Sequence, residues 1–199
     1  MNMLNKLFKK KIKLVTHNGT FHVDDLFSAA LLSIYMEHMD ENFEIIRSRD
    51  PKIIENADYV FDVGGVYNPE LNRFDHHQLN GAGARANGIS YSSCGLVWKH
   101  FGLFLCGGDQ DAWEHIDNKI ATPIDASDNG IDIVESKIKN VLPYTAGQVF
   151  KIFTPTWREQ DSSGDQVFQN EVKNIVRVLK REIKVALDDS LARRLIVAD

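Results

Sequence analysis

Apolar and polar residues along this chain alternate between a strand-like and a helix-like rhythm. Lys11 to Thr16 (KIKLVT) reads as a short strand. Val23 to Met39 follows, with Val23, Leu26, Phe27, Ala30, Leu31 and Ile34 at the three-and-four spacing of an amphipathic helix. Phe43 to Ser48 and Tyr59 to Val63 predict two further strands, separated by a short helical or turning segment from Pro51 to Ala57, and Asn72 to Phe74 predicts a fourth. Helical patterns then take over at Ser92 to Phe104, Asp109 to Ser127 and Asp165 to Leu187, broken by Gly107-Gly108 and Asn129-Gly130. Pro123 is expected to kink the second of these helices. Strands alternating with helices first, and helices alone afterwards, predict an α/β fold: a mainly parallel sheet flanked by helices, with a helical C-terminal segment.

Leu79 to Gly88 (LNGAGARANG) and Arg158 to Gly164 (REQDSSG) read as loops, the second as a domain boundary. The organisation expected is a basic lead-in over 1–11, a main domain over 12–157, and a polar loop plus long helix over 158–199 that reads as the start of a second domain. Phe168, Val172, Ile175, Leu179 and Ile183 form one apolar stripe on that last helix. Its cover is the main domain, another copy of the chain in a homo-oligomer, or a further domain.

Composition narrows the class. With 199 residues, 43% hydrophobic and 26% charged, the chain can bury a core of its own. A formal charge of -5 argues against non-specific wrapping of nucleic acid, although bound cations can supply positive charge locally. Cys94 and Cys106 lack disulfide or zinc-ribbon spacing, so a reducing, intracellular and by default cytoplasmic setting is expected. The opening MNMLNKLFKKKIKLV is too lysine-broken for a signal peptide and lacks the Arg and Ser of a transit peptide. No apolar run approaches the roughly 20 residues a membrane span needs, and a soluble protein is expected.

Candidate chemistry gathers at the predicted strand ends. Four of the seven histidines lie in two short segments beside aspartate. HNGTFHVDD carries His17, His22, Asp24 and Asp25; FDVGG carries Asp62; RFDHHQ carries Asp75, His76 and His77; IDASDNGID carries Asp125 and Asp128. In an open α/β sheet, ligands bind beyond the carboxyl ends of the strands, so residues distant in sequence converge there. Either aspartate after His22 could simply cap the following helix. Two histidines and two aspartates within nine residues point instead to a metal site. Asp125 and Asp128, three apart, share a helix face. Mixed imidazole and carboxylate ligation suits manganese, iron or zinc better than magnesium. Lys52, Arg47, Arg49, Arg73 and Arg85 are candidate phosphate clamps.

In the same order, THNGTFHVDD, RSRDP, DVGG, RFDHHQ, SSCGLVWKHFG, DASDNGI and PTW resemble the pattern of the DHH phosphoesterase superfamily. Within it they resemble the melanocyte-proliferating-gene (Myg) family of metal-dependent hydrolases, over about residues 12 to 160. The resemblance implies the superfamily's α/β fold, a centre of two divalent ions, usually Mn2+ with Mg2+, Fe2+ or Zn2+ as alternatives, and phosphodiester hydrolysis with 3′-to-5′ exonuclease action on RNA or short oligonucleotides. Carried over by motif, it implies His17, His22, Asp24, Asp62, His76 and either Asp128 or Asp125 as ligands, with Asp128 favoured and Asp62 bridging. It implies His77 on the scissile phosphate and Asp75 as its orienting group. Two departures stand out: Asp25 occupies a position where a longer acid is expected, and the superfamily's second domain is expected to be represented at most by its beginning, after about residue 158.

Two other readings compete. Cys94, in SSCG at a helix start, could serve a cysteine hydrolase. Alternatively, the cluster could hold metal in a scaffold protein without turnover.

Overall fold

The computed structural model describes residues 10–159 and 164–198; most of the basic lead-in and the centre of the REQDSSG loop lie outside them. Strands β1 (Ile12–Thr16), β2 (Phe43–Arg47), β3 (Tyr59–Phe61), β4 (Tyr67–Asn68) and β5 (Arg73–Phe74) form one sheet in the order β2-β1-β3-β5-β4. All neighbours run parallel except β4 and β5. The register pairs Ile12 with Phe43 and Leu14 with Tyr59, then Phe61 with Phe74, so β1, β3 and β5 end side by side. The chain leaves β1 for β2 on one side and returns to β3 on the other, which opens a crevice between the carboxyl ends of β1 and β3.

Period-two alternation sends neighbouring strand residues to opposite faces. Leu14, Phe61 and Phe74 join the main core, whereas Val15 and Val60 join a small second cluster with Ala57 and Val63. The main face is covered by helices α1 (Val23–His38) and α3 (Ser93–Leu105); among the described residues the other packs against the short α2 (Pro51–Glu55). Helix α1 is buried from Asp24 through Ile34. Ala29, Ala30, Ser28 and Ser33 keep its girth small enough to lie between the sheet and two other helices.

The α/β architecture expected from the sequence is the one found, with local differences. Asn72 is a left-handed turn residue (φ 54°) rather than part of a strand, and β4 was not foreseen because two residues carry no period. The helix expected over Asp109 to Ser127 is three pieces: α4 (Gln110–Ile116), a π-helical turn (Asp117–Ala121) and α5 (Thr122–Asp128). The irregularity therefore lies just before Pro123, in the turn whose hydrogen bonding the ring would disturb, rather than as a bend after it. Helix α6 (Ala146–Lys151), too short to show a period, lies in a stretch from Ile131 to Trp157 whose large apolar residues are mostly exposed.

The last helix, α7 (Gly164–Ala198), runs eleven residues beyond the expected Leu187. Its stripe of Phe168, Val172, Ile175, Leu179 and Ile183 is buried in the main core, against α1 and α4 of the same chain. That surface is thereby unavailable to a second copy. Arg47 fastens the start of α7: its guanidinium reaches Asp165 Oδ1 (2.8 Å) and the Gly19 carbonyl (2.5 Å) and lies over the Phe21 and Phe168 rings. At the far end, Ser190 and Arg194 bond the Asp109 carboxylate. No helix among the described residues is long and apolar enough to cross a membrane.

Candidate metal centre

Each of three parallel strands hands its chain to a loop bearing histidine or aspartate. After β1, the buried His17 places Nδ1 3.1 Å from the Asn18 carbonyl, which turns Nε2 inward. Nε2 lies 3.2 Å from Asp62 Oδ2 and 3.3 Å from Asp25 Oδ2. Gly19, at φ 89°, lets the chain double back so that the exposed His22 ring comes within 5.7 Å of the His17 ring. The two aspartates that open α1 divide their tasks. Asp25 Oδ1 accepts the His22 N–H (2.8 Å) and caps the helix. Asp24 faces away, toward the start of α3: Oδ1 accepts the Ser92 hydroxyl (2.5 Å) and the Cys94 N–H (2.6 Å), and Oδ2 accepts the Ser93 N–H (3.1 Å).

Directly after β3, Asp62 adopts a left-handed backbone (φ 53°), a conformation Asp tolerates better than most residues. Its N–H donates to Ser93 Oγ (3.0 Å). After β5, Asp75 Oδ1 accepts the His76 N–H (2.7 Å) and meets His77 Nδ1 at 2.7 Å, while Oδ2 accepts the Gly65 N–H (2.5 Å). With both oxygens engaged, Asp75 sets the turn and aims His77, whose side chain is 60% exposed.

The remaining groups converge. His76 Nε2 lies 3.3 Å from Asp128 Oδ2, 3.4 Å from Asp62 Oδ1 and 3.8 Å from Asp24 Oδ2. Asp62 thus turns one oxygen toward His17 and the other toward His76. Ligand atoms of His17, His22 and Asp62 lie within 4.8 Å of one another, as do those of Asp24, His76 and Asp128. Neither His76 Nε2 nor Asp25 Oδ2 has a hydrogen-bond partner although both are buried. Donor atoms roughly 3.0 to 3.4 Å apart are what a central ion with bonds of about 2.1 Å requires. The donor set fits a cation, and such an ion would relieve both the unpaired atoms and the repulsion among three carboxylates.

Asp125 goes elsewhere. Fully buried, it accepts from the Ser92 N–H (3.0 Å), the Gly95 N–H (3.1 Å) and Arg85 Nε (2.6 Å), and its Oδ1 lies 2.7 Å from the Ser92 hydroxyl, whose single proton is shared between it and Asp24. Arg85 is occupied by Asp125 and Asp117 and stacks over Tyr91, so it serves as a buried brace rather than an open phosphate clamp. Arg47 and Arg73 are likewise engaged, Arg73 with the Leu71 and Ala57 carbonyls. Sequence reasoning missed Ser92, Ser93 and Gly95; the adjacent Ser-Ser before a helix is a capping signal, but nothing local says that its partners are aspartates from other helices. Cys94 is buried, and burial followed by the nearby Asp24 and Asp125 pushes its thiol well above the ordinary range, the reverse of what a nucleophilic cysteine needs.

Protonation follows the same geometry. Burial raises Asp24, reinforced by Asp62 and Asp128, and lifts Asp25 to about 7; burial also raises Asp128. Burial would raise Asp62 too, but the neighbouring His17 and His76 imidazoles prevail and hold it at about 2. His77 is raised, first by its bond to Asp75. A carboxyl raised on folding favours the fold fully below its unfolded value and loses that contribution as pH climbs through its folded value. For Asp25 the window runs from 3.8 to about 7. A cation binds the ionised form, so its stabilising effect is expected to grow with pH. Scanning calorimetry with and without Mn2+ should give a larger rise in Tm at pH 8 than at pH 6; an equal or smaller rise at pH 8 would contradict the assignment.

Comparison with known proteins adds lineage to geometry. A family model, MYG1_exonuc, described as an uncharacterised protein family (UPF0160), matches residues 13–199. The MYG1 exonuclease of Rattus norvegicus is 33% identical over 172 residues, covering 77% of this chain and 45% of the relative. The human MYG1 exonuclease is 32% identical over 172 residues, again 77% of this chain and 45% of the relative. The MYG1 protein of Chlamydia pneumoniae is 36% identical over 151 residues, covering 74% of this chain and 46% of the relative. The chain thus spans about half the length of the curated relatives it matches. No solved structure matches it.

Proposed function

Because the chain belongs to the MYG1 exonuclease family (UPF0160), we propose that its histidine and aspartate cluster is a two-metal phosphodiesterase centre acting exonucleolytically, 3′ to 5′, on RNA or short oligonucleotides. The observation that carries the reading is the placement of Asp62 between His17 and His76, one carboxylate oxygen toward each. A bridging ligand needs that division. His17, His22 and Asp62 would hold one ion; Asp62, Asp24, His76 and Asp128 would hold the other, with Mn2+ the best match to the mixed donors. Such a pair supplies Lewis acidity, acidifying water and neutralising charge on phosphoryl oxygens.

The chain's own residues do the rest. Asp62 and Asp24 fix the spacing of the donors from within the core, while the exposed His22 and Asp128 leave the centre open to solvent on one side. Asp75 orients His77, whose exposed ring would contact the scissile phosphate as a hydrogen-bond donor or give a proton to the leaving oxygen. The bond raises the histidine's basicity, which keeps that proton available near neutral pH. Asp125, spent on α3 and Arg85, is left out of the ligand set in favour of Asp128. The order of the motifs supports a place in the DHH phosphoesterase superfamily. Two free, buried cysteines suit a reducing, cytoplasmic setting.

Titration calorimetry with Mn2+, paired with hydrolysis of 3′-labelled RNA and of a generic phosphodiester, tests the proposal. Binding of two ions per chain and metal-dependent cleavage are expected. Binding with no cleavage of either substrate would favour a metal-held scaffold, and no binding would overturn both readings.

A further inference from the structure

Helix α3 begins between two aspartates that come from different helices. Ser92 touches both: its hydroxyl lies 2.5 Å from Asp24 Oδ1 and 2.7 Å from Asp125 Oδ1, and its N–H donates to Asp125 at 3.0 Å. The residues that follow divide between the two carboxylates. Ser93 and Cys94 give their N–H groups to Asp24, and Gly95 gives its own to Asp125. Behind Asp125 stands Arg85, its side chain 8% exposed, braced in turn by Asp117 in the π-helical turn. The result is a buried line from Arg85 through Asp125 and Ser92 to Asp24, of which Asp24 is the member that groups with His76 and Asp128.

The two oxygens of Asp24 are unequal as a result. Oδ1 holds two short bonds, from Ser92 and Cys94. Oδ2 holds one longer bond, from Ser93, and is the oxygen that faces His76. An oxygen already accepting two short hydrogen bonds has little lone-pair density left to offer; its neighbour has more.

We propose that Ser92 is a positioning residue for metal binding: backed by Asp125 and Arg85, it locks Asp24 Oδ1 so that Asp24 presents Oδ2 alone to the cation beside His76. The inference rests on the two-metal reading given above, and it assigns a role to a hydroxyl that itself ligates nothing. Groups that hold a ligand in place typically change metal affinity by roughly 10- to 100-fold when removed.

The test is Mn2+ titration calorimetry, without substrate, on the parent chain and on Ser92→Ala, Ser92→Thr and Asp125→Asn, each first checked for cooperative unfolding in chelator. Weaker binding by about 10- to 100-fold in Ser92→Ala, with Ser92→Thr restoring affinity to within roughly threefold of the parent, is the expected result. A role confined to folding would lower the chelator Tm and leave the dissociation constant of the folded protein unchanged. If Ser92→Ala does not fold, Asp125→Asn takes its place, because it keeps the side chain's size while weakening the brace, and its dissociation constant is expected to rise by about tenfold. A parent that binds Mn2+ alongside a folded variant of unchanged affinity would overturn the positioning role alone. A parent that binds no Mn2+ would remove the two-metal reading and this role together.

Discussion

Asp62→Asn is expected to give a folded protein that loses at least one metal site and hydrolyses phosphodiesters roughly a thousandfold more slowly, equivalent to about 4 kcal/mol of transition-state stabilisation. Asparagine is the informative replacement because residue 62 sits at φ 53°, a backbone conformation that Asn accepts and alanine resists. The N–H to Ser93 Oγ is untouched, so the turn beneath the site survives. What is lost is the second anionic oxygen. The carboxylate faces His17 with Oδ2 and His76 with Oδ1, whereas an amide must turn an NH2 group toward one of them. An NH2 group cannot ligate a cation, so the proposed bridge is expected to fail on that side. Metal content by mass spectrometry, together with hydrolysis of a generic phosphodiester, decides the matter. Full occupancy with full activity would rule out a bridging role.

Gly95→Ala is expected to cost about 3–5 kcal/mol of stability, combining the overpacking penalty with the loss of buried hydrogen bonds. A Cβ at residue 95 would lie 2.2 Å from Asp125 Oδ2 and 2.4 Å from Oδ1. Those atoms cannot retreat cheaply, because the carboxylate is fully buried and accepts from Ser92, Gly95 and Arg85 at once. For a protein of this size the loss should lower Tm by roughly 10 °C. Thermal unfolding followed by circular dichroism measures it. A Tm within about 2 °C of the parent would show that Asp125 yields more easily than its bonds imply.

The parts legible in the sequence were those in which chemistry and period coincide. His17, Asp62 and His76 each fall immediately past an apolar strand, and parallel strands bring their ends together; their convergence followed from two local signals and one rule of topology. Asp125 and Asp128 could not be separated in the same way. They share a helix, and which of them faces the site depends on where α3 starts and on Arg85, forty residues before Asp125 in sequence. Asp24 and Asp25 were ambiguous for a similar reason: both suit a helix start, and the structure has Asp25 capping it while Asp24 reaches the start of α3 and faces His76. The π-helical turn and the two-residue strand β4 left no trace because they arise from packing and hydrogen-bond closure rather than from repeating hydrophobicity.

Helix α7 acts as a tie beam roughly 50 Å long, at about 1.5 Å per residue. Its near end is riveted through Arg47 to the loop that carries His17 and His22, and its far end to the cap of α4. A beam pinned at both ends holds what it joins at a set separation: the loop at Gly19 on one side and the start of α4 on the other.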